Sequence, residues 1–559
     1  MKKRHTITAA LPYANGPIHI GHLAGAYIPA DIYSRYLRLL QKDVVFICGS
    51  DEHGAAIPIR AKIEGTSPKK IVDKYHLNIK NSFKNFGISF DNYSRTSSKV
   101  HHETASNFFK DLNDNNLFIE KETEQLYDEK ENQFLADRFV TGLCPKCNND
   151  EAYGDQCENC GSTLSATELI NPKSKLSGNK PVLKKTRHWF LPLNNFENFL
   201  KKWFLKEKKL DWKTNVFGQV KSWITEGLKP RAITRDLDWG IPVPLNNALG
   251  KVLYVWFDAP IGYISSTIEW AKKNNKDWRP YWQSPETELV HFIGKDNIVF
   301  HCIIFPAILH ASKNYILPTN VPANEFLNLE GQKISTSKNW AIWIDEYMND
   351  FPNMQDTLRY VLTTNAPENK DNDFTWKDFQ AKNNNELVAI FGNFVNRVAV
   401  LTEKYYGLEI PPIGNIDNEE EKIIDQIYKY PEIIGSCIEK FKFRDAINNM
   451  IDLARYGNKF LADTEPWKLI KTSDSLKVQT IMNISIQICG ILSVVCEPFL
   501  PVTSMKLKNQ FNIKEVNWSE IKKENPIISN KIQKSNLIFR KIEDEEIDFQ
   551  LRKLHESKK

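Results

Sequence analysis

Thr6-Ile7-Thr8-Ala9-Ala10-Leu11-Pro12-Tyr13-Ala14-Asn15-Gly16-Pro17-Ile18-His19-Ile20-Gly21-His22 is the stretch that decides the fold. Thr6 to Leu11 are β-prone and Pro12 to Pro17 are turn formers. After His19 to His22 the apolar positions Leu23, Ala26, Tyr27, Ala30, Tyr33, Leu37 and Leu40 recur at helical spacing. A compact apolar run, Val44 to Cys48, then stops at Gly49-Ser50-Asp51. Strand, helix and strand in succession predict a βαβ unit of a parallel sheet. Ligands of such sheets bind at the carboxyl ends of the strands, which puts His19, His22 and Asp51 beside the ligand.

Further along, Val252 to Phe257 and Leu289 to Ile293 read as short β-like runs, each leading into a loop and a helix, as the second half of a doubly wound sheet requires. From about Asn385 helical patterns dominate, including Leu387 to Tyr406 and Val478 to Cys496, and predict a helix bundle. The most membrane-like stretch, Ile481 to Leu500, is broken by Asn483, Gln487 and Glu497 and reads as a buried bundle helix rather than a span. With 41% hydrophobic and 26% charged residues, the 559-residue chain is neither disordered nor fibrous. A net charge of +5 permits a polyanionic partner without establishing one. Met1-Lys2-Lys3-Arg4 is not followed by the apolar segment of a secretory signal, so the expected setting is the cytosol, with no membrane partner. Cys48, Cys302, Cys437, Cys489 and Cys496 lie scattered in apolar surroundings and are expected to be buried free thiols.

The other four cysteines form Cys144-Pro145-Lys146-Cys147, nine residues, then Cys157-Glu158-Asn159-Cys160. Two C-x-x-C pairs converge four thiolates on one tetrahedral ion, which predicts a structural Zn²⁺ in a small knuckle; disulfides are the alternative, disfavoured in the cytosol. Four protein ligands leave no open position, so this zinc is not expected to activate water.

Pro17 to His22 opens a helix directly after a strand and loop. Free backbone N–H groups and the positive end of the helix dipole are expected there, with two imidazoles on one side of the first turn and Gly21 allowing a nucleotide close to the backbone. Far along the chain, Gly331-Gln332-Lys333-Ile334-Ser335-Thr336-Ser337-Lys338 is a basic, hydroxyl-rich loop suited to pyrophosphate. Taken singly, each could be an ordinary surface turn. Together they resemble the paired signatures of class I aminoacyl-tRNA synthetases. His19-Ile20-Gly21-His22 matches the HIGH signature letter for letter, and Lys333-Ile334-Ser335-Thr336-Ser337 resembles KMSKS with Thr336 at its second lysine. A threonine carries no charge, so the pyrophosphate charge falls more heavily on Lys333 and on the shifted Lys338.

Within that class the similarity runs to the methionyl branch over essentially the whole chain. It is carried by Ala9-Ala10-Leu11-Pro12-Tyr13-Ala14-Asn15-Gly16, Gly49-Ser50-Asp51-Glu52-His53-Gly54, the four-cysteine insertion, Tyr254-Val255-Trp256-Phe257-Asp258-Ala259-Pro260, and His291-Phe292-Ile293-Gly294-Lys295-Asp296 leading to His301. The resemblance implies an α/β, doubly wound parallel-sheet (Rossmann-type) catalytic domain with an inserted zinc-knuckle module, followed by an all-α helix-bundle domain. Its segments are residues 1–118 and 231–325 for the two catalytic halves, 119–230 for the insertion, 326–384 for the KMSKS-type loop and stem-contact region, 385–545 for the anticodon-binding bundle, and 546–559 for a charged tail. It further implies ATP-dependent activation of L-methionine and its transfer to tRNA(Met), initiator tRNA included, with Mg²⁺ accompanying ATP.

By the same resemblance His19, His22, Lys333 and Arg235 are catalytic, and Gly21, Gly294, Asp296, Ser335, Thr336 and Ser337 join His19, His22 and Lys333 in binding ATP. Asp51 pairs with the substrate ammonium. Leu11, Tyr13, Trp256, Ala259, Pro260, Tyr263 and His301 make an apolar aromatic pocket with two polar tips, suited to a polarizable thioether. Asn393, Arg397 and Trp467 match the family's anticodon-reading positions; forked donors and a stacking indole suit unpaired bases. The insertion leaves little room for the editing domain of the Ile, Val and Leu enzymes. An alternative stays open: a non-catalytic tRNA-binding relative of the same fold, supported by Thr336. The sequence stops soon after an amphipathic helix read at Ile532 to Leu554, and a monomer is expected.

Overall fold

β1 (Arg4–Ala9) is buried over all but its first residue, and it pairs in parallel with β6 (Thr287–Gly294), Arg4 opposite Thr287 through Ala9 opposite Phe292. β2 (Asp43–Ser50) pairs in parallel with β3 (Asn92–Arg95). The spatial order β6-β1-β2-β3 sets β1 between β6 and β2, so the chain winds away from β1 in both directions. Both faces of these strands are covered, which is why they read as apolar runs rather than as alternation. The computed structural model describes residues 3–135, 137–154, 157, 159–160, 162, 164–206, 212–336, 338–414, 416–471 and 475–558. The chain divides into two compact units. The first comprises the chain up to Pro17, Val45–Ser82 and Phe90–Pro322; the second comprises Ile18–Val44, Phe83–Ser89 and the chain from Ala323.

In the first unit, two differences from the sequence reading have physical causes. Only Val252–Leu253 of the run Val252 to Phe257 is strand; from Val255 the chain is helix, α2 (Val255–Lys273), buried on nearly every side. A short apolar run does not distinguish a buried strand from a buried helix. Next, the stretch of weak periodicity contains a long antiparallel ribbon, β4 (Ile119–Asp128) against β5 (Val182–Leu191), Ile119 opposite Phe190 through Tyr127 opposite Val182. β4 is mostly exposed and polar on both faces, so the pattern that marks a half-buried strand is absent. Finally, Cys48 and Cys302 are buried as expected, and so are Cys489 and Cys496 of the second unit, but Cys437 there is only half-buried.

In the second unit, α1 spans residues 20–39 and contains a wide π turn at Leu23–Tyr27. α3 (Asn393–Tyr406), α4 (Phe443–Thr464) and α5 (Ser475–Val495) supply the helical region. The most apolar window of α5 is 94% buried, and its polar groups bond inside the protein: Asn483 donates to the Pro411 carbonyl at 2.7 Å, and Gln487 both donates to Asn483 and accepts from Tyr428. α5 is a core helix. At Gly490 a Cβ would collide with the Ile527 carbonyl oxygen, so this glycine is required by close packing.

A buried ionic node ties α1 to the helices that follow. Asp31 accepts from Arg35 and Arg359, each at 2.8 Å, and from the Ser89 amide and hydroxyl at 2.7 and 2.6 Å. Arg359 also donates to the Phe499 and Pro498 carbonyls. Burial alone would raise the Asp31 carboxyl; the two guanidiniums outweigh it and hold the group at about 2.

The helix read at Ile532 to Leu554 begins only at Asp544, where Glu543 and Glu546 form a capping box: α6 (Asp544–Ser557). Ile532 belongs to an extended segment whose amide donates to the Leu408 carbonyl. Residues 546–557, read as part of a charged tail, are therefore ordered helix with Ile547 and Leu554 buried.

Candidate active site

The two signature segments meet within the second unit. The Ile20 amide donates to the Ile342 carbonyl and the Ile344 amide to the Ile18 carbonyl, both at 3.1 Å, so a short antiparallel pairing joins stretches about three hundred residues apart. Ile334 seats on Gly21: a Cβ there would lie 3.1 Å from the Ile334 Cδ1 and equally close to the His19 ring. A side chain at residue 21 would therefore press on both the loop and the imidazole.

His19 caps α1 from extended backbone. Its Nδ1 accepts from the Gly21 amide, and the His22 Nδ1 accepts from the His19 amide, each at 3.1 Å. With both Nδ1 atoms accepting, the ring protons sit on Nε2, and each imidazole presents an Nε2–H donor. The rings stack with centroids 3.8 Å apart, an arrangement suited to neutral rings. Burial first, and the neighbouring His22 second, hold His19 well below its ordinary value; burial pushes His22 down to about 4. The expected cradle of free amides is absent: the amides of Ile20, Gly21 and His22 are taken by Ile342, by His19 Nδ1 and by the His19 carbonyl. The anion-facing donors are side chains.

The loop is a tight hairpin. Lys333 pairs with Asn328, and Ser335 and Trp340 exchange both main-chain hydrogen bonds at 3.0 and 2.9 Å. Lys333 and Thr336 are exposed, and the Lys333 ammonium lies 5.6 Å from the Phe326 ring centroid. Ser337 lies outside the described residues.

The pocket predicted for methionine lies in the first unit. Asp51 clips the loop after β1: its amide donates to the Pro12 carbonyl and its carbonyl accepts from the Ala14 amide, both at 2.8 Å, with Tyr13 between. Leu11 packs against Gly49 and Gly262, where added Cβ atoms would lie 3.2 and 3.0 Å from its methyls. Trp256, Ala259, Pro260 and Tyr263 occupy the first turns of α2. His301 sits in a wide π turn, Phe300–Ile304. Its Nδ1–H donates to the Asn297 carbonyl at 3.0 Å, so its Nε2 accepts the Tyr263 hydroxyl proton at 2.9 Å. Both polar tips are thereby engaged with each other. The Asp51 carboxyl is raised by burial first and by the charge of Asp258 second.

The Arg235 guanidinium carbon lies over the Tyr254 ring, 3.5 Å from its centroid, and Arg235 donates to the Thr234 and Ala232 carbonyls. With Arg231, Tyr254 and Trp256 it lines a cavity of about 420 Å³. Gly294 is held by its neighbour: a Cβ would lie 2.7 Å from an Asp296 carboxylate oxygen.

Sequence reasoning missed several groups. Phe300 stands edge-on to Trp256 at 4.3 Å, signalled only by its place beside His301. His53 and Asp258, both almost wholly buried, bond at 2.6 Å, and the His53 amide donates to the Asp51 carboxylate at 3.3 Å. An aspartate in the otherwise apolar first turns of α2 was the available signal.

Elsewhere, the four cysteine sulfurs lie within 4.8 Å of one another, with Cys144–Cys160 at 3.9 Å and Cys147–Cys157 at 3.6 Å. A tetrahedral ion with Zn–S bonds of about 2.3 Å separates its sulfurs by about 3.8 Å, so the donor set fits zinc and is far too open for disulfides. In the helical region the Arg397 guanidinium lies 5.0 Å from the Trp467 ring centroid; with Asn396, Val400, Leu401, Lys404 and Tyr405 these two line a cavity of about 340 Å³. Asn393 is exposed one turn before Arg397, outside that lining, and Trp467 is half-buried rather than exposed.

The strand order and the paired HIGH- and KMSKS-type segments are those of a class I aminoacyl-tRNA synthetase. Residues 5–399 match the model of tRNA synthetases class I (M), and residues 410–557 match the anticodon binding domain of methionyl tRNA ligase. The chain belongs to this family of methionyl class I tRNA synthetases. It is 63% identical to the methionine–tRNA ligase of Christiangramia forsetii, over all of this chain and 82% of the relative, and 62% and 59% identical to those of Flavobacterium psychrophilum and Bacteroides fragilis, over all of this chain and 81% of each. Among solved structures, Mycobacterium tuberculosis methionyl-tRNA synthetase in complex with methionyl-adenylate superposes with a TM-score of 0.79 at 20% identity, covering 96% of this chain and 99% of that one, a likeness of fold.

Burial pushes His53 and His301, like His22, down to about 4. A histidine lowered on folding is neutral at pH 7, and protonating it works against the folded form. In a selectively histidine-labelled sample the ring resonances of these three are expected to stay at their neutral positions as pH falls from 7 to 5; titration with a midpoint near 6.5 would contradict the assignment.

Proposed function

We propose that the chain joins L-methionine to tRNA(Met), initiator tRNA included, through methionyl-adenylate. The methionine carboxylate attacks the α-phosphorus of ATP, the bond to the β-phosphate oxygen breaks and pyrophosphate leaves. The 2′-hydroxyl of the terminal adenosine then attacks the acyl carbon and AMP leaves. No covalent intermediate on the protein is required, so the residues act by positioning and by stabilising charge. The observation that supports this reading is the packing of Ile334 against Gly21, which brings the hydroxyl-rich loop to the first turn of α1, where His19 and His22 sit.

In this reading His19 and His22 donate to phosphate oxygens as neutral groups, and Lys333 supplies the positive charge for pyrophosphate, with Ser335, Thr336 and Ser337 as hydroxyl donors. Arg235, Gly294 and Asp296 bind ATP, and Mg²⁺ enters as the nucleotide's counter-ion. Asp51 pairs with the substrate ammonium, which relieves the cost of its buried charge. Because the Tyr263 hydroxyl proton is committed to His301, the pocket offers the thioether aromatic and methyl surface with little strong donor competition, matching sulfur's weak acceptor character. Asn393, Arg397 and Trp467 read the anticodon.

Cys144, Cys147, Cys157 and Cys160 hold a structural Zn²⁺. The Lys146 amide and the Asn149 and Asn159 side chains donate to three of the sulfurs, which favours thiolates. The working place is the cytosol. The chain spans 82% and 81% of the length of the Christiangramia forsetii and Flavobacterium psychrophilum relatives.

Methionine-dependent exchange of labelled pyrophosphate into ATP is the deciding assay. Exchange separates this reading from the non-catalytic relative that Thr336 left open. His22→Ala is expected to slow it by about 10²-fold while methionine binding is retained; exchange at the wild-type rate would refute the role. Removing zinc with a strong chelator should lower the melting temperature of the purified protein; unchanged melting after the metal is shown to be gone would exclude the structural role.

A further inference from the structure

The last turn of α6 abuts the signature hairpin on both of its stalks. On the side that precedes Lys333, the Lys558 ammonium donates to the Gln332 amide oxygen at 3.0 Å. On the side that follows Lys338, the Asn339 side chain donates to the Ser557 carbonyl at 3.1 Å, the His555 ring stands tilted 5.5 Å from the Trp340 ring, and the Lys558 ammonium lies over that same indole at 4.7 Å. Trp340 is a fixed point rather than a flexible neighbour. It is 2% exposed, its indole N–H donates to the Leu329 carbonyl at 3.1 Å, and its backbone closes the hairpin against Ser335.

α6 is itself anchored along its length. Gln550 and Lys553 both bond to Asp350, Lys553 also pairs with Glu346, and Asp544 accepts from Gln380. Glu346 and Asp350 lie on the short helix Ile344–Asp350, which begins at the residue that pairs with Ile18. The helix is therefore a strut with one end on the hairpin and its body on the element that carries the HIGH-side pairing. A cation over an indole, a hydrogen bond and an edge contact are each modest, but they converge on the two stalks of a six-residue loop, and small displacements of groups that position a reacting phosphate have large effects on rate. Thr336 stands at the second lysine of the signature the loop resembles, so more depends on where Lys333 and the shifted Lys338 are held.

We infer that His555, Ser557 and Lys558 are positioning residues for adenylate formation: the end of α6 fixes the hairpin so that Lys333 reaches the pyrophosphate. This rests on the reading of Lys333 as the pyrophosphate-binding lysine. His555 and Lys558 are exposed, so their truncation leaves the core intact.

The test compares the full chain with three variants, each checked for an unchanged melting curve: Lys333→Ala, the pair His555→Ala with Lys558→Ala, and Lys558→Arg. ATP–pyrophosphate exchange and transfer from preformed methionyl-adenylate to tRNA are measured separately. The paired variant is expected to lose about tenfold in kcat for exchange, with the KM for methionine and the transfer rate unchanged, and Lys558→Arg, which keeps a cation and donors, to regain most of the loss. Exchange by the paired variant within twofold of wild type overturns the inference, as does an equal loss in exchange and transfer, which marks a general structural defect. If Lys333→Ala itself exchanges normally, the pyrophosphate reading fails and this inference with it; a slow Lys333→Ala beside a normal paired variant overturns the strut alone.

Discussion

A few atoms of backbone pairing at residues 18–20 and 342–344 constrain everything built on the second unit. Two hydrogen bonds join Ile18 and Ile20 to Ile344 and Ile342, and the hairpin between Lys333 and Lys338 is thereby delivered to the first turn of α1. Residue 21 has no side chain, and Ile334 and the His19 ring lie close to where a Cβ would stand, so a larger residue would press on both. The same packing sets the chemistry of the histidines. Each Nδ1 is used up as an acceptor for a helix amide, so the proton of each neutral ring sits on Nε2. What a helix N-terminus usually offers an anion through its amides is here offered through two imidazoles, while the amides are spent on the pairing and the cap.

Electrostatics are divided between the units in a consistent way. Asp31 is buried with two guanidiniums and a serine, and its charge is fully compensated, so it serves the scaffold. Asp51 and Asp258 are buried with far less compensation, and burial raises both. A buried carboxylate short of partners favours a cationic neighbour, and in the proposed function the substrate ammonium takes that place. The His53–Asp258 hydrogen bond orients this region from below, through the amide of His53 on the Asp51 carboxylate.

Much of this arrangement was legible in the residues alone. The order strand, turn, helix and strand up to Ser50 follows from local patterning, and the apolar runs of β1, β2 and β6 report strands covered on both faces. α5 was legible as a core helix because Asn483 and Gln487 need protein partners, which Pro411 and Tyr428 supply. The positions of His19, His22, Lys333 and the cysteines were legible because short spacings determine local geometry. Other features depend on contacts that no window of sequence contains. β4 is mostly polar on both faces and gives no periodic signal. Val255 to Phe257 are apolar enough for either a strand or a buried helix. The capture of the α1 amides by Ile342 and His19, the Phe300 edge on Trp256 and the ending of α6 on the hairpin are tertiary facts. The start of α6 was misplaced by about twelve residues because apolar residues from Ile532 onward serve an extended segment that happens to continue the helical count.

The central claim is that one triphosphate is held by groups from both signature segments, His22 from α1 and Lys333 from the hairpin. A double-mutant cycle on the rate of adenylate formation tests it most directly, using His22→Ala, Lys333→Ala and the variant carrying both. The account predicts strong coupling, with the combined loss smaller than the product of the single losses by about tenfold or more, because both groups act on the same developing charge. Losses that multiply independently would mean that the two segments, though in contact, do not share a ligand.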